Sequence, residues 1–337
     1  TQRSGGRDLE PGLLALWDAA SAADLLRATA AAAFLCAAAT RGAACGASAL
    51  GAAGRGAAAA QRATAGDLIQ VDSLDRAKVD RARALVRDLG SVLVAYSGGV
   101  DSTLLLKLAL DELRDGAVAV LATSPAYPPA EQEEARALAG QLGARLIEVD
   151  TREVELDAYR RNGADRCFHC KEELFETLEP LRAELGLAHL AYGANADDGG
   201  DHRPGHASAE RRGVRFPLLE AGLTKAEIRA TARRLGLSNW DKPSFACLSS
   251  RVPFGTEISE AVLQQVAAAE AAVHALGFRQ VRVRHHGDVA RIEVEAEDQD
   301  RLLEQRAEVA RGVRAAGYRF VSLDLEPYET GRLSRRR

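Results

Sequence analysis

The sequence predicts an α/β fold, in which a parallel sheet carries helices on both faces and is followed by a small α+β domain. The first observation is that short apolar runs alternate with segments of helical periodicity from about residue 77 to residue 149. The second is a change of order after about Phe254, where a helix leads into two adjoining strands, another helix and a last strand. Strict alternation is typical of a parallel sheet, whereas the later order is typical of a separate α+β unit.

The first region is assigned element by element. Residues 77–89 have apolar side chains at helical spacing, and residues 91–96 form the uninterrupted apolar run of a buried strand. Further on, Thr224 and Glu227 form a capping box that opens a helix running to about residue 235. The elements predicted between them are a helix at 103–112, a strand at 117–123, a helix at 130–142 and strands at 145–149 and 190–193.

The second region begins with a predicted helix at residues 259–276. Strands at 281–284 and 290–295 flank a His-His-Gly-Asp turn, which predicts that His285 and His286 are surface residues. A further helix and a strand at 320–325 complete the unit. The predicted domains are a low-complexity, disordered tail at 1–66, an α/β domain at 67–253 and a small α+β domain at 254–330, which we expect to serve substrate binding or oligomerisation.

Residues 1–66 differ from the rest because Ala, Gly and Arg dominate them. Their apolar stretch at 28–39 is too short to span a bilayer. It lies late in the segment and follows Asp18 and Asp24, so a low-complexity extension is favoured over the core of a signal peptide. Cys36 and Cys45 are therefore predicted to have no function.

The composition of the whole chain restricts its partners and compartment. At 337 residues the chain has room for two domains, and its formal net charge of −4 argues against a general nucleic-acid binder. Five cysteines at irregular spacing do not form a disulfide framework in a chain of this length. These features, with the apolar stretch too short for a membrane span, predict a cytoplasmic protein without nucleic-acid or membrane partners.

A Ser-Gly-Gly-Val-Asp-Ser string at residues 97–102 lies between a predicted strand and a predicted helix. In that position Gly98 and Gly99 let backbone N–H groups converge on an anion, and the hydroxyls of Ser97 and Ser102 add donors. Asp101 is suited to hold Mg²⁺. A bare Gly-Gly after a strand is otherwise only a tight turn. The string lacks the Gly-Lys-Ser/Thr of a Walker loop.

Three cysteines remain outside the tail. Cys167 and Cys170 have the two-residue gap that lets both sulfurs face one metal or cluster. The alternatives are a structural zinc site completed by Cys247 and His169, a thioredoxin-like redox pair, and no function. Haem attachment is excluded, since Lys171 stands where the histidine is needed.

Cys247 is flanked in the sequence by the cationic residues Lys242 and Arg251. Nearby positive charge lowers the pKa of a thiol and makes the thiolate available as a ligand or nucleophile. An isolated buried cysteine is otherwise inert packing. Thr123 ends the second predicted strand, where the carboxyl ends of parallel strands form a ligand crevice.

The string at 97–102 resembles the PP-loop of the N-type ATP pyrophosphatases, which cleave ATP to AMP and pyrophosphate. With the other strings the chain resembles the LarE family of sulfur transferases, over about residues 70–330. These strings are Tyr-Gly-Ala-Asn-Ala-Asp-Asp at 192–198, Asp-His-Arg-Pro-Gly at 201–205, Phe-Pro-Leu-Leu-Glu at 216–220, the segments 222–229 and 241–251, and the charged strands at 282–284 and 290–293.

The resemblance implies that ATP and Mg²⁺ activate each carboxylate of pyridinium-3,5-dicarboxylate mononucleotide, which then becomes a thiocarboxylate. It also implies a functional link to the other enzymes that make the nickel-pincer cofactor of lactate racemase, and we expect a homo-oligomer. In one branch of the family a single cysteine, matching Cys247, gives up its own sulfur. Cys167 and Cys170 are typical of the other branch, in which three cysteines hold a [4Fe–4S] cluster.

Several charged residues receive expectations of their own. Arg282 and Arg284 alternate on one strand face, and with Arg251 we expect them to grip the substrate phosphate. A solvated edge strand is the alternative for the first two. Arg203 is expected to contact the phosphates of ATP, and Lys225 and Arg229 to form a solvated ridge on one helix. Glu293 is expected to contribute either to a metal site or to a surface salt bridge.

Two rival functions remain open. One is a PP-loop enzyme that thiolates tRNA, against which the acidic balance of the chain weighs. The other is a non-catalytic protein that binds zinc or an iron–sulfur cluster on a nucleotide-binding fold. Release of pyrophosphate from ATP distinguishes an enzyme from a mere binder.

Overall fold

Two β-sheets organise the computed structural model, which describes residues 65–200, 204–244 and 246–329. The expectations for residues 1–64, including Cys36 and Cys45, and for Arg203 lie outside the described residues. Among the helices of the described part, none has both the length and the apolar character that crossing a membrane requires.

The first sheet is four-stranded and parallel, with the strand order β3-β2-β1-β4. All five residues of β1 and the first five of β2 are buried, which is why their sequences are continuous apolar runs rather than alternating ones. The predicted α/β architecture is confirmed at this level. The strands are β1 Val92–Tyr96, β2 Ala117–Thr123, β3 Arg145–Asp150 and β4 His189–Tyr192.

Helices cover both faces of this sheet, because successive side chains of a strand point to opposite sides. Val92 and Val94 of β1 pack into one core with α1, α2 and α8, whereas Leu93 packs into a second core with α5 and α6. The helices are α1 Ala65–Asp88, α2 Val100–Leu113, α3 Pro129–Gln141, α4 Asp157–Arg160, α5 Arg166–Glu184, α6 Pro204–Arg211, α7 Pro217–Glu220 and α8 Lys225–Arg234.

Helix α5 is the main element that the sequence pattern does not predict. Only Phe175 and Leu178 are buried apolar residues within it, charged residues surround them, and Pro180 lies inside the helix. Such a narrow apolar stripe is a weak helical signal. Helix α5 nevertheless covers one face of the sheet and carries Cys167 and Cys170 in its first turn.

The second sheet has the order β5-β6-β7, in which β5 and β6 are antiparallel and β6 and β7 are parallel. Helix α9 packs on β5, and together with α11 it closes a separate apolar core. The elements of this part are α9 Glu260–His274, β5 Val281–His286, β6 Val289–Val294, α10 Gln299–Glu304, α11 Arg306–Ala315 and β7 Phe320–Leu323.

The interpretation of the His-His pair as part of a surface turn is wrong for His285. Both histidines belong to β5, where they pair with Ala290 and Val289. His285 is buried and its Nδ1 lies 3.1 Å from the hydroxyl oxygen of Tyr318, while burial lowers the pKa of its imidazole. The turn itself therefore needs only the two residues 287 and 288.

A close backbone approach joins β4 to the start of α2. A Cβ atom on Gly193 would lie 2.7 Å from the backbone nitrogen of Ser102 and 2.9 Å from its Cα. Only a residue without a side chain permits this contact. The end of β4 is thereby fixed against the segment that follows β1.

Gly193→Ala is expected to lower the free energy of unfolding by about 1–3 kcal/mol, because the added methyl group meets backbone that cannot move aside cheaply. Urea denaturation followed by circular dichroism measures this change. Gly140→Ala in α3 is the control, since its new Cβ meets no atom within 4 Å and helix propensity predicts a gain of about 0.5–1 kcal/mol. An unchanged midpoint for Gly193→Ala would contradict the close approach.

Candidate active site

The segment between β1 and α2, residues 97–102, is called here the glycine loop. Ser102 Oγ accepts from the backbone N–H of Ser97 at 3.2 Å and donates to Gly99 O at 3.0 Å. Gly98 has φ +71°, and Asn239 Nδ2 donates to its carbonyl oxygen at 3.0 Å. Helix α2 begins after its N-cap residue Gly99 without a side-chain cap, and the N-terminus of a helix has a positive dipole and N–H groups that point away from it.

Asp101 lies in a charged network next to the glycine loop. Lys225 Nζ is 2.8 Å from both carboxylate oxygens of Asp101, and Asn195 Nδ2 donates to one of them at 3.2 Å. The predicted capping box of Thr224 and Glu227 is confirmed, and it starts α8 so that Lys225 faces the loop.

The interpretation of Lys225 and Arg229 as a solvated ridge is therefore wrong. Arg229 donates to the carbonyl oxygen of Lys242 at 2.9 Å, while Lys225 is paired with Asp101. The capping box fixes where α8 begins, but the partner of Lys225 lies 124 residues away in the sequence. Local pattern gives no signal for a pairing over that separation.

Thr123 lies at the carboxyl end of β2, beside an open cavity of about 630 Å³. Its hydroxyl donates to Val149 O at 3.2 Å and contacts Asp150 Oδ1 at 2.5 Å. The cavity is also lined by Ser124 and Arg136. Since β1 and β2 are parallel neighbours, the cavity and the glycine loop lie at the same edge of the sheet.

Cys167, Cys170 and Cys247 are free thiols, of which Cys167 is exposed and the other two are half-buried. Arg166 joins the two parts of the chain that carry them, because its Nη1 donates to Ser249 O at 3.0 Å. The pKa of Arg166 is raised overall. Burial alone would lower it, but the neighbouring Cys247 and Cys167 and other groups outweigh that effect. One guanidinium therefore lies close to sulfurs from both segments.

Two residues that precede α5 also hold the thiol-carrying segments together: Tyr159 at the end of α4, and Asn162 in the turn between α4 and α5. Asn162 is buried with φ +53°, a conformation that Asn adopts more readily than most residues. Its Nδ2 donates to Pro253 O at 2.8 Å and to Thr256 O at 3.0 Å. The hydroxyl of Tyr159 lies 2.5 Å from Ser249 Oγ.

The segments that carry the three thiols reach the same edge of the sheet as the glycine loop, where the carboxyl ends of the strands lie. The backbone N–H of Leu248, next to Cys247, donates to Ala126 O at 2.8 Å, just beyond the end of β2. Lys171, next to Cys170, places its Nζ 4.2 Å from the centre of the Tyr192 ring at the end of β4. The structure thus brings residues from both thiol segments to the ends of strands that flank β1.

Burial raises the pKa of the Cys170 thiol to about 12, with Glu153 and the other two thiols adding to the rise and Lys171 opposing it. Glu153 is 1% exposed, and its Oε1 lies 2.5 Å from Ser124 Oγ. Its Oε2 has no hydrogen-bond partner among the described residues. Sequence reasoning missed Glu153, because a single acid in a loop carries no pattern.

The structural zinc site proposed from sequence finds no support. Among the described residues, no three His, Cys, Asp or Glu side chains are arranged to hold a single metal ion. His169 would have completed such a site, but its Nε2 atom is 3.0 Å from Oδ2 of Asp165.

The cations flanking Cys247 in the sequence are engaged by carboxylates. Lys242 Nζ lies 2.8 Å from Glu131, and Arg251 Nε lies 2.9 Å from Glu270. Arg251 also donates to the carbonyl oxygen of Cys247 at 3.1 Å, so it supports the backbone of the loop rather than reaching the thiol in this contact.

Arg251, Arg282 and Arg284 form a buried arginine cluster, at 0%, 3% and 5% exposure. Arg284 Nε donates to Glu293 Oε2 at 2.9 Å, and Glu293 is itself buried. The prediction of a solvated strand for Arg282 and Arg284 is therefore wrong, and so is the prediction of a surface salt bridge for Glu293. Helix α9 and the loop containing Cys247 cover β5. The predicted role of the three arginines in binding a phosphate remains a prediction.

The arginine cluster attaches the Cys247 loop to the second sheet. Arg282 Nη2 donates to Ser244 O at 2.8 Å and Arg284 Nη1 donates to Ser250 O at 3.0 Å, on either side of Cys247. Burial and the neighbouring cation of Arg251 lower the pKa of Arg282. The loop is thus held by side chains from β5 on one side and from the turn before α5 on the other.

Comparison with known proteins reveals the family. No protein-family model matches the chain. An uncharacterized protein of Synechocystis sp. is 42% identical over 260 residues, which covers 77% of this chain and 97% of that relative. The pyridinium-3,5-bisthiocarboxylic acid mononucleotide synthase of Lactiplantibacillus plantarum is 38% identical over 252 residues, 74% of this chain and 91% of the synthase.

The class of this protein is an α/β protein whose parallel sheet has a glycine loop after β1 and free thiols on two segments that reach the same edge of the sheet. The chain belongs to the family of the L. plantarum synthase, and the sequence resemblance is confirmed at the level of the family. An uncharacterized protein of Methanocaldococcus jannaschii is a more distant relative, at 26% identity over 239 residues, 71% of this chain and 91% of the relative.

Alkylation with iodoacetamide at pH 8.5 is expected to modify Cys170 at least about tenfold more slowly than Cys167, because a pKa of about 12 keeps the buried thiol protonated. Peptide mass spectrometry of the reduced, metal-free protein measures both rates. Glu153→Gln is expected to lower the pKa of Cys170 and speed its modification, whereas Glu155→Gln, an exposed acid in the same turn, is the control. Equal alkylation rates at Cys167 and Cys170 would contradict the raised pKa of the Cys170 thiol.

Proposed function

We propose that this protein is an ATP-dependent sulfur transferase that adenylates the carboxylates of pyridinium-3,5-dicarboxylate mononucleotide and converts them to thiocarboxylates for the nickel-pincer cofactor. The observation that carries this proposal is the gathering of three thiols at the sheet edge that also holds the glycine loop. The activity in the name of the L. plantarum relative, a pyridinium-3,5-bisthiocarboxylic acid mononucleotide synthase, supports the same chemistry.

ATP binding is assigned to the glycine loop, with the hydroxyls of Ser97 and Ser102 as further donors and Thr123 at the adjoining strand end. A substrate carboxylate oxygen attacks the α-phosphorus, the bond to the β-phosphate oxygen breaks, and pyrophosphate leaves. Asp101 is assigned to Mg²⁺, whose preferred ligands are carboxylate oxygens. Adenylation makes AMP the leaving group, so that sulfur can replace a carboxylate oxygen.

The thiols fit a [4Fe–4S] cluster by the chemistry of the donor set. Cys167, Cys170 and Cys247 supply three soft sulfur ligands, and each would bind a different iron, so they need not converge on one ion. The raised pKa of Cys170 means that its thiolate requires a strong positive charge nearby, which iron supplies. When bound, such a cluster supplies a transferable sulfide on its fourth iron.

The residues of the chain then have distinct tasks. Arg166 and Asn162 fix the positions of the thiols, and the arginine cluster is assigned to the phosphate of the mononucleotide. Cys247 is assigned as the catalytic cysteine, a cluster ligand here or, in a sacrificial route, the nucleophile that attacks the acyl adenylate and ends as dehydroalanine.

Purification without oxygen, followed by reaction with ATP and the pyridinium mononucleotide, tests the proposal. We expect pyrophosphate release, about four irons for each chain and an unchanged protein mass after turnover. A loss of about 34 Da at Cys247 would instead mean the sacrificial route, because that is the mass of H₂S removed from a cysteine. Turnover with tRNA but not with the mononucleotide would overturn the proposal in favour of a tRNA thiolase.

Cys167→Ala is expected to abolish iron loading while leaving pyrophosphate release intact, because the thiols and the glycine loop are separate groups. Iron and sulfide analysis beside a pyrophosphate assay makes the comparison. Ser238→Ala, a change in the loop after α8 away from the thiols, is the control. Full iron content in the Cys167→Ala protein would exclude this cysteine as a ligand.

Lys225→Ala is expected to weaken the binding of metal-free ATP by about tenfold, since Asp101 is left as an unneutralised carboxylate beside the phosphate loop. The affinity for Mn²⁺ alone is expected to rise for the same reason. Isothermal titration calorimetry measures both quantities. Lys107→Ala is the control, because Lys107 lies on α2 and pairs with Asp111. Parallel losses of both affinities would argue against this account.

A further inference from the structure

Lys171 differs from the other basic residues around the thiols in what it contacts. Arg166 donates to Asn162 and Ser249, Lys225 pairs with Asp101, and Lys242 pairs with Glu131. Lys171 instead lies over the ring of Tyr192, with the thiols of Cys170 and Cys167 as its other close neighbours. Within the part of the chain that the structure describes, no carboxylate forms an ion pair with it.

The position of Lys171 relates the thiols to the glycine loop. It follows Cys170 directly in α5, and its ammonium lies 4.2 Å from the centre of the Tyr192 ring. Gly193, the next residue after Tyr192, is the one that approaches the backbone of Ser102 in the glycine loop. Lys171 is therefore next to one of the thiols and in contact with the end of β4, the strand that also meets the loop assigned to ATP.

An acyl group that is attached to AMP and open to attack by sulfur must lie between the glycine loop and the thiols, and Lys171 adjoins the thiol of Cys170. During the attack a C–S bond forms and the π electrons of the carbonyl group move onto its oxygen, which becomes negatively charged. When this intermediate collapses, the C=O bond re-forms, the bond from carbon to the phosphate oxygen breaks, and AMP leaves with the electron pair. A fixed cation next to the developing charge lowers the barrier to this step.

We propose that Lys171 is a catalytic residue that stabilises the negatively charged acyl oxygen during sulfur transfer. The inference rests on the proposed function, and it assigns Lys171 to the second half-reaction alone. The Tyr192 side chain holds the ammonium by cation–π attraction and a hydrogen bond, and since an ammonium has three N–H donors, further donors can meet an oxygen. An ammonium paired with a carboxylate would have to give up that partner first.

The test separates the two half-reactions in Lys171→Met, which keeps an unbranched side chain but removes the charge. Pyrophosphate release in the first turnover is expected to stay within about twofold of the wild-type rate. Formation of thiocarboxylate is expected to fall by about 10²–10³-fold, the loss typical of removing one oxyanion donor. The acyl adenylate should accumulate, and hydroxylamine captures it as a hydroxamate that mass spectrometry detects.

Two further variants distinguish a catalytic from a merely structural role. Lys171→Arg keeps the positive charge and is expected to restore transfer at least about tenfold over Lys171→Met. Lys107→Met is the matched control on α2, where the lysine pairs with Asp111 away from the thiols. Iron content is measured for every variant, and it should equal that of the wild-type protein.

The outcomes are distinct. Wild-type transfer in Lys171→Met, or equal losses of pyrophosphate release and transfer, would overturn the role of Lys171 while leaving the proposed function standing. Arginine performing no better than methionine at normal iron content would overturn it as well. If the wild-type protein releases no pyrophosphate with the mononucleotide, the proposed function fails, and the inference for Lys171 fails with it.

Discussion

The arrangement of the site depends on the hydrogen bonds between the turn before α5 and the loop that follows Cys247. Asn162, held in a left-handed conformation, donates to three carbonyl oxygens of that loop, and Arg166 donates to a fourth. These donors and acceptors are buried, where an unsatisfied partner costs about 1–3 kcal/mol. Together with the backbone hydrogen bonds from Gly255 to Asn162 and from Ile258 to Arg160, the pairing specifies one relative position for the two segments.

The parallel sheet places this junction where it can meet a ligand. Because β1, β2 and β4 run in the same direction, the segments that leave them share one edge, and each contributes a contact: the glycine loop, Ala126 and Tyr192. The second sheet adds Arg282 and Arg284 of the arginine cluster, which donate to backbone carbonyl oxygens on both sides of Cys247. The loop that carries Cys247, in which a short 3-10 turn spans Leu248–Arg251, is thus held from three directions.

The strands and most helices were predictable because each carries its own signal. Strands β1 and β2 are buried on both faces and so appear as unbroken apolar runs, and α8 opens on a capping box. Helix α5 escaped prediction because its core stripe is narrow and interrupted by Pro180. The family was recognisable because its motifs are short strings of residues, which can be identified in the sequence without knowledge of the fold.

The chemistry of the site was predictable only as far as residue type shows it. The three cysteines and the glycine loop could be singled out as candidates, since the Cys-x-x-Cys pair and the Ser-Gly-Gly-Val-Asp-Ser string are visible in the sequence, and their roles stay predictions. Glu153, Asn162 and Lys171 were not, because each is an ordinary residue whose importance comes from a neighbour distant in the chain. The same limit explains Arg284, whose partner Glu293 on the adjoining strand turns an apparently solvated pattern into a buried ion pair.

The separation of the sulfurs along the chain has a consequence for biosynthesis. Arg166 and Ser249, which join the two thiol segments, are 83 residues apart, and Arg284, which steadies the loop, comes later still. A nascent chain that has emerged from the ribosome only as far as α5 presents two of the three thiols of the site and lacks Cys247. Any inorganic centre that needs all three can therefore be completed only after Cys247 has emerged and its loop has docked on α5.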